Sequence, residues 1–501
     1  MKRDLQKLQQ QSFDLLVIGG GINGAAAAHL AVIRGLKTAL IEKNDFASGT
    51  SSKSSKLMHG GIRYLENFEF GLVREALHER AFHTEKLGHL VRPMPFVIPV
   101  YDGDRRPLWM MKAGVLLYDL LAGSKNIGRR QMLNRETLLR AEPGLNPEGL
   151  RGGVLYYDAL MDDVRVCLEN LLEAGARGAV LANYVEACGF IKKDGIAEGV
   201  LARDRLHPQS PAFEIRARHI AVCGGAWTDS ILQMDEPGLS PKVRPTKGAH
   251  MIIDQKISDR AMLIPARRDK RIFFVIPWKT GTMIGTTDTD YSGSPDDVKA
   301  DDEDVNYLLE ETRRVFPSLA LSRQDVRITF AGLRPLLKNE GTASKISREH
   351  EIFQSASRVF YIAGGKYTTY RSIAEDFVGR LAQGPTIEHF FSEPLTEPPE
   401  TLGESCGVTA ETAAYLAGLY GSRLSAVMAL CQNDPALKAR IHPAHPAILA
   451  QAVYARENEM AQTVDDLIFR RLMLGYVPGL PRDFYPAARE KLSRMGFSLN
   501  T

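Results

Sequence analysis

The sequence predicts an α/β chain of more than one domain, and three observations carry that expectation. An apolar run, Phe13-Asp-Leu-Leu-Val-Ile18, stops at Gly19-Gly20-Gly21 and leads through an Ala-rich helical stretch to a second apolar run, which makes one βαβ unit. Residues 243–290 alternate short β-rich runs with polar turns, as an antiparallel sheet does. After Gln383, Pro385, Pro394, Pro398 and Pro399 form a linker before a tail that reads as helical from Thr409 onward.

Bulk numbers narrow the class. A chain of 501 residues accommodates two to four domains at ~100–200 residues each. Hydrophobic residues at 44% and charged residues at 25% exclude a disordered or collagenous chain. With 63 Lys and Arg against 60 Asp and Glu, the net charge of +3 is too small for a nucleic-acid partner. Cys167, Cys188, Cys223, Cys406 and Cys431 lie far apart with no C-x-x-C pair, so neither a disulfide framework nor a metal site is expected, and a reducing cytosol fits. The basic residues of Met1–Lys7 are not followed by an apolar run before Phe13, so no secretory signal is expected. No stretch is long and apolar enough to span a bilayer; Trp109–Gly123 is interrupted by Lys112 and Asp119. The segment from Arg105 through Lys112 to Leu120 fits either a buried helix or one lying in a membrane interface, with cations and Trp109 at the headgroups.

Taken in order, Ala25–Ile33 is a helix closed by Gly35, and Lys37–Ile41 is a strand ending on Glu42. A polar tract, residues 48–55, leads to His59-Gly60-Gly61-Ile62-Arg63-Tyr64, and Phe70–Leu90 reads as helical. Asp162–Ala174 is a helix, Gly178–Ala187 and Ile196–Ala202 are strands, and Ile215–Cys223 is a strand ending at Gly224-Gly225. Strands follow at Gly248–Ile253, Ile272–Pro277 and Thr282–Thr287, then a helix at Asp301–Val315. Val326–Leu333 and Val359–Ala363 are strands, the latter running into Gly364-Gly365-Lys366.

Gly19-x-Gly21-x-x-Gly24, between a strand and a helix and with Glu42 about 20 residues on, is a dinucleotide fingerprint in its required context. The glycines let backbone approach a pyrophosphate at a helix N-terminus, beside Asn23, and Glu42 would accept hydrogen bonds from the adenosine ribose. NAD and FAD both satisfy this pattern. Gly364-Gly365, before another helix, would aim N–H groups at a flavin ring where negative charge develops on reduction.

Further motifs carry a family resemblance. They are residues 19–24, Ser54-Ser-Lys-Leu-Met-His-Gly-Gly-Ile-Arg-Tyr-Leu65, Lys247-Gly-Ala-His250, Gly285-Thr-Thr-Asp288, Gly332-Leu-Arg-Pro-Leu336 and Gly364-Gly-Lys-Tyr-Thr-Thr-Tyr-Arg371. In these the chain resembles the FAD-dependent, respiratory glycerol-3-phosphate dehydrogenases, within the flavoproteins similar to D-amino-acid oxidase. Ala26 stands where that family has a further glycine, and Cys223-Gly224-Gly225-Ala226-Trp227 replaces a usual Ala-Thr-Gly-Pro-Trp; no acidic calcium loop is present.

The resemblance implies a discontinuous Rossmann-like FAD-binding domain (12–95, 151–228 and 325–384), an antiparallel substrate domain (96–150 and 229–324) and a C-terminal helical domain (385–501). It implies oxidation of sn-glycerol 3-phosphate to dihydroxyacetone phosphate by hydride transfer to flavin N5, with electrons passed to membrane quinone in the respiratory chain. The enzyme would then lie on the cytoplasmic face of the inner membrane, attached to the lipid surface, and form a possible homodimer. A soluble oxidase using oxygen, another hydroxy- or amino-acid flavin oxidase, and a non-catalytic flavin-binding redox sensor are the alternatives.

For the substrate phosphate the resemblance offers Arg63, Arg334 and Lys366, each beside or close to glycines that permit close backbone approach, with Tyr64 as a neutral donor and Thr286 as an orienting one. His250 is the candidate base, because histidine titrates near neutrality and this one lies in the substrate sheet; His59 is the alternative. Arg334 would also stabilise the developing alkoxide. Ser51, Ser52, Ser55, Lys56, His59, Gly60, Gly225, Gly364, Gly365, Lys366 and Thr368 complete the expected cofactor set, with hydroxyls and N–H groups cradling the flavin or pyrophosphate. In the tail, Asp465-Asp-Leu-Ile-Phe-Arg470-Arg471 fits a packed helix, a dimer face or a contact with anionic lipid.

Overall fold

The computed structural model describes residues 1–338, 350–385, 391 and 399–499, over which the chain builds two β-sheets and a helical C-terminal region. Pro394 and Pro398 of the expected linker lie outside the described residues.

The strand Ser12–Ile18 is central because it is apolar on both faces, with Leu15, Leu16 and Val17 fully buried. It pairs in parallel with Thr38–Glu42 on one side and Phe213–Val222 on the other. Val180–Asn183 extends the sheet beyond Thr38–Glu42, and Phe360–Gly364 extends it beyond Phe213–Val222, again in parallel. The chain leaves the first strand to one side and later returns to the other, which creates a topological switch point at its carboxyl end. The three strand-to-glycine turns, at Gly19, Gly224 and Gly364, share that edge because the strands bearing them run parallel. The helix Ile22–Ile33 is buried along most of its length, and Ala25–Ala28 keep it thin enough for Asp163–Ala176 and Tyr370–Gly379 to pack against it. The predicted strand Gly178–Ala187 breaks at Tyr184, where φ is 56°. Its first part joins the parallel sheet, and Val185–Lys193 turns into a hairpin with Ile196–Asp204.

The second sheet has ten strands among the described residues. It is antiparallel except where Ala261–Pro265 meets Val91–Tyr101 in parallel. Val91–Tyr101 pairs along its length with Leu150–Met161, and Val326–Leu337 pairs with Val243–Ile253. The segments 12–95, 151–228 and 325–384 expected for the FAD-binding domain therefore take in strands of this sheet, since residues 91–95, 151–161 and 326–337 belong to it. Pro93, Pro95 and Pro99 in one strand and Gly152-Gly153 in another read as breakers in the sequence. Long-range pairing overrides that local signal.

The helices Ala410–Tyr420, Leu424–Asn433, Leu449–Glu459 and Phe484–Arg494 enclose a core of their own. Leu108–Ala122 is a helix with Val115 and Tyr118 buried, yet Trp109 and Leu120 are each 68% exposed, so it is half-docked rather than internal. Among the described residues no helix is long and apolar enough to cross a membrane.

Candidate active site

At the switch point a cavity of about 370 Å³ is lined by Gly19, Gly21, Asn23, Glu42, Ser51, Ser55, His59, Gly225, Gly364, Gly365, Lys366 and Thr368. The fingerprint glycines divide the work. A Cβ at Gly19, whose φ is 116°, would meet the Cys223 carbonyl oxygen at 2.4 Å, so Cys223 presents its backbone to the turn. A Cβ at Gly24 would sit 1.9 Å from the Gly19 carbonyl oxygen, so this glycine serves helix-to-strand packing behind the wall. At Gly225, φ 54°, a Cβ would meet nothing within 4 Å and would occupy cavity space. Gly20 N–H and Asn44 N–H donate to the Glu42 carboxylate at 2.7 and 2.8 Å, while burial pushes its pKa up. Ser51 Oγ accepts from Ile22 N–H at 2.9 Å, joining the polar loop to the start of the helix. Thr368 Oγ1 clasps the His59 backbone, accepting from its N–H and donating to its carbonyl oxygen, each at 3.2 Å.

Four predicted cofactor residues do not line this cavity: Gly24, placed above behind the wall, and Lys56, Ser52 and Gly60. Lys56 is fully buried, with Nζ donating to both carboxylate oxygens of Asp163 at 2.7 and 2.9 Å and to the Ser52 carbonyl at 2.6 Å. Ser52 is 2% exposed, and its hydroxyl turns back to the Gly49 carbonyl. Gly60 donates its N–H to Asp158, and a Cβ there would strike Tyr118 and Leu77. The polar groups of Lys56, Ser52 and Gly60 are thus engaged within the protein.

A second cavity of about 130 Å³ adjoins the first, and Ser55, Leu57, His59, Tyr64, Phe274 and Arg334 line both. Its own wall adds Arg63, Arg271, Thr286, Asp158 and Asp288. The strand register builds this corner. Val243–Ile253 sets Thr246, Gly248 and His250 opposite Arg334, Gly332 and Phe330. Because Gly248 has no side chain, the Arg334 guanidinium crosses it; a Cβ there would lie 2.5 Å from Nη2. Arg334 donates to Asp288 Oδ1 at 3.1 Å, to Thr286 Oγ1 at 3.0 Å and to the Thr287 carbonyl at 3.3 Å. Lys366 lies on the cofactor side, its Nζ 3.6 Å from the Tyr64 ring centroid, and the Arg63 guanidinium lies near the same ring at 5.5 Å.

His250 is 2% exposed and lines the larger cavity, stacked on Phe330 at 4.8 Å with 9° between the planes. Gly285 makes room for it, since a Cβ there would overlap the imidazole. Its Nε2 lies 2.9 Å from Ser55 Oγ, and Nδ1 has no hydrogen-bond partner among the described residues. Burial, aided by the charges of Arg334 and Lys56, holds its pKa well below the ordinary 6.5. The neutral imidazole is thus favoured over the imidazolium here, against the expectation of titration near neutrality.

Sequence reasoning missed Arg271 and Asp288. Asp288 closes the quoted Gly285–Asp288 motif, so its signal was present but unassigned. Arg271 stands among Arg267, Arg268 and Lys270 with no glycine beside it, and reads as part of a solvated charge run.

Residues 14–369 match the family described as FAD dependent oxidoreductase, and residues 360–489 match the C-terminal domain of alpha-glycerophosphate oxidase. A glycerol-3-phosphate dehydrogenase of Synechocystis sp. is 38% identical over 505 residues, covering 95% of this chain and 91% of the relative. Glycerol-3-phosphate dehydrogenase 2 of Mycobacterium tuberculosis is 37% identical, covering 94% and 82%. The mitochondrial glycerol-3-phosphate dehydrogenase of Homo sapiens is 36% identical, covering 99% and 72%. Among solved structures, the glycerol-3-phosphate dehydrogenase of Bacillus halodurans complexed with FAD superposes with a TM-score of 0.78 at 31% identity, covering 98% of this chain and 92% of that one. Glycine oxidase of Geobacillus kaustophilus, TM-score 0.57 and 18% identical over 76% of this chain and 98% of its own, shares the fold.

Proposed function

The chain belongs to the FAD-dependent oxidoreductase family, with glycerol-3-phosphate dehydrogenases as its close relatives, and from that premise we propose that it oxidises sn-glycerol 3-phosphate to dihydroxyacetone phosphate. The observation that carries the reading is the small chamber bearing Arg63, Arg271 and Arg334 directly against the glycine-lined cofactor cavity. FAD is the cofactor, and the residues present fit it: three glycine turns meet at one sheet edge, and the open space at Gly225 is where a side chain would intrude.

Bound FAD supplies the two-electron acceptor for the hydride. The chain's own residues do the rest. Arg63 and Arg271 hold the phosphate as charge-assisted donors, with Tyr64 and Lys366 at the rim. Thr286 and Arg334 orient the secondary hydroxyl, and Arg334 stabilises the negative charge that develops on its oxygen. Ser55 borders both cavities and donates to neutral His250 Nε2, so the hydroxyl proton has a path through Ser55 to His250. His59, which also lines both cavities, is the alternative acceptor.

Membrane quinone is the proposed electron acceptor, reached from a peripheral position on the cytoplasmic face. The exposed apolar residues support this: Phe68 is 77% exposed, and Trp109, Met110, Leu116 and Leu120 stand out from the adjoining helix beside Arg105 and Lys112. An oxygen-using oxidase is the second reading, favoured by the match of residues 360–489 to a domain named for an oxidase. Anaerobic mixing with sn-glycerol 3-phosphate while following flavin absorbance tests the substrate. Reoxidation in separate runs by a quinone analogue or by oxygen tests the acceptor. A bound flavin that fails to bleach overturns the substrate assignment, and faster reoxidation by oxygen overturns quinone.

A further inference from the structure

The arginine pair of the tail, Arg470-Arg471, sits neither on a surface nor in a purely apolar core. Both guanidinium groups converge on Asp45, whose side chain is fully buried: Arg471 grips it with two bonds of 2.7 and 2.8 Å, and Arg470 Nε donates at 2.6 Å. Asn183 Nδ2 adds a donor at 2.9 Å. Asp45 lies three residues past Glu42, in the turn whose Lys43 and Asn44 line the cofactor cavity. The next residue, Phe46, is fully buried beneath the fingerprint; a Cβ at Gly20 would lie 2.7 Å from its ring. Ala47 N–H donates to the Gly20 carbonyl at 3.0 Å. The turn therefore supports the glycine loop and carries the carboxylate placed for the ribose.

On the other side, the arginines are anchored within the C-terminal region. Arg471 Nη2 donates to the Glu459 carbonyl at 2.8 Å, and Arg470 pairs with Asp466, which accepts from Tyr184 at 2.7 Å. Residues Asp466–Arg471 are wound as a π-helix, which turns two consecutive arginines toward one carboxylate. Among the described residues, none of the tail lines the cofactor cavity. We infer that Arg470 and Arg471 are positioning residues for the cofactor, acting through Asp45, so that FAD affinity depends on this one grip of the C-terminal helical region on the 43–47 turn. A buried carboxylate keeps its place only while its cations do, because an unpaired charge in that setting is far costlier than a displaced loop.

The test uses the full chain freed of flavin and titrated with FAD, with no substrate present, so its outcome is separate from the substrate assignment. Arg471→Gln is expected to raise the FAD Kd at least tenfold, and adding Asp45→Asn is expected to restore most of that loss by removing a buried charge that Arg470 alone compensates only in part. Arg423→Gln is the control. It cuts the same domain contact, where Arg423 meets Glu169 at 3.0 Å and also pairs with Glu173, but touches nothing in the 43–47 turn. It should lower the Tm and leave the Kd within twofold. If Arg471→Gln does not fold, Arg470→Gln, whose side chain is 17% exposed, is read in its place with an expected rise of threefold or more. An unchanged Kd in the folded variant, or an equal rise in Arg423→Gln, overturns the proposal.

Discussion

Arg334→Ala is the perturbation with the most to say about the proposed reaction. The guanidinium does two things at once: it faces the substrate chamber and it neutralises Asp288, whose side chain is 11% exposed. Its charge-assisted bond to a developing alkoxide contributes ~1.5–3 kcal/mol. Its removal also leaves Asp288 unpaired near a phosphate dianion. At an effective dielectric of ~20 and a separation of ~8 Å, that repulsion is about 2 kcal/mol per unit charge. Together the two effects predict a fall of roughly three orders of magnitude in kcat/KM, at about 1.4 kcal/mol per tenfold. Flavin content, read from absorbance, should stay unchanged. The double variant Arg334→Ala/Asp288→Asn removes the stranded charge and should recover roughly tenfold or more of the loss. A fall of less than about tenfold in the single variant would refute the assigned role. So would a double variant no more active than the single, because the repulsion calculated here would then be absent.

Three other outcomes follow from the same geometry. Since burial holds the His250 pKa well below 6.5, the pH profile of kcat/KM should carry no inflection near 6.5 that depends on His250, and His250→Gln should slow anaerobic bleaching; an inflection near 6.5 that His250→Gln abolishes would contradict this. Lys56→Met should strip the buried Asp163 of the lysine that pairs with it, costing ~3–5 kcal/mol of stability; a variant with wild-type Tm and weakened FAD binding would return Lys56 to the cofactor set. His83 is fully buried, bonded to the Glu79 carbonyl and the Tyr370 hydroxyl, and burial holds its pKa down at about 4 against 6.5 unfolded. Its contribution is therefore complete above pH 6.5 and is lost as pH falls toward 4, by up to about 3 kcal/mol. Denaturant midpoints that match at pH 7.5 and pH 5 would show the sign to be wrong.

What the sequence revealed and what it withheld divide along the reach of the interactions. The parallel sheet was legible because a strand, a glycine turn and a helix are all local signals, and three such turns on parallel strands must meet at one edge. The second sheet's borders were not legible, since Val91–Tyr101 carries three prolines and is a strand only because Leu150–Met161 lies beside it. His250 and Arg334 were found through short motifs. Their closeness comes from the register of Val243–Ile253 on Val326–Leu337, a pairing across some eighty residues that no local pattern encodes.

The cations make the same point more sharply. Adjacency to glycine picks out Arg63, Arg334 and Lys366 because a missing side chain is what lets a charged group approach closely, and Gly248 shows the space being used. That rule cannot find Arg271, which reaches the chamber through sheet register alone. Nor can it reject Lys56, whose charge is taken by Asp163, 107 residues further along. The arginines of the tail read as a packed helix, a dimer face or a lipid contact, and the carboxylate that decides among these lies 425 and 426 residues away. A cation's role is set by the anion it meets. Where that anion is a distant residue the role is structural, and where the chamber leaves the cation facing open space the role passes to the ligand. Arg334 belongs to both cases, because Asp288 holds it in place while the chamber stays open beside it.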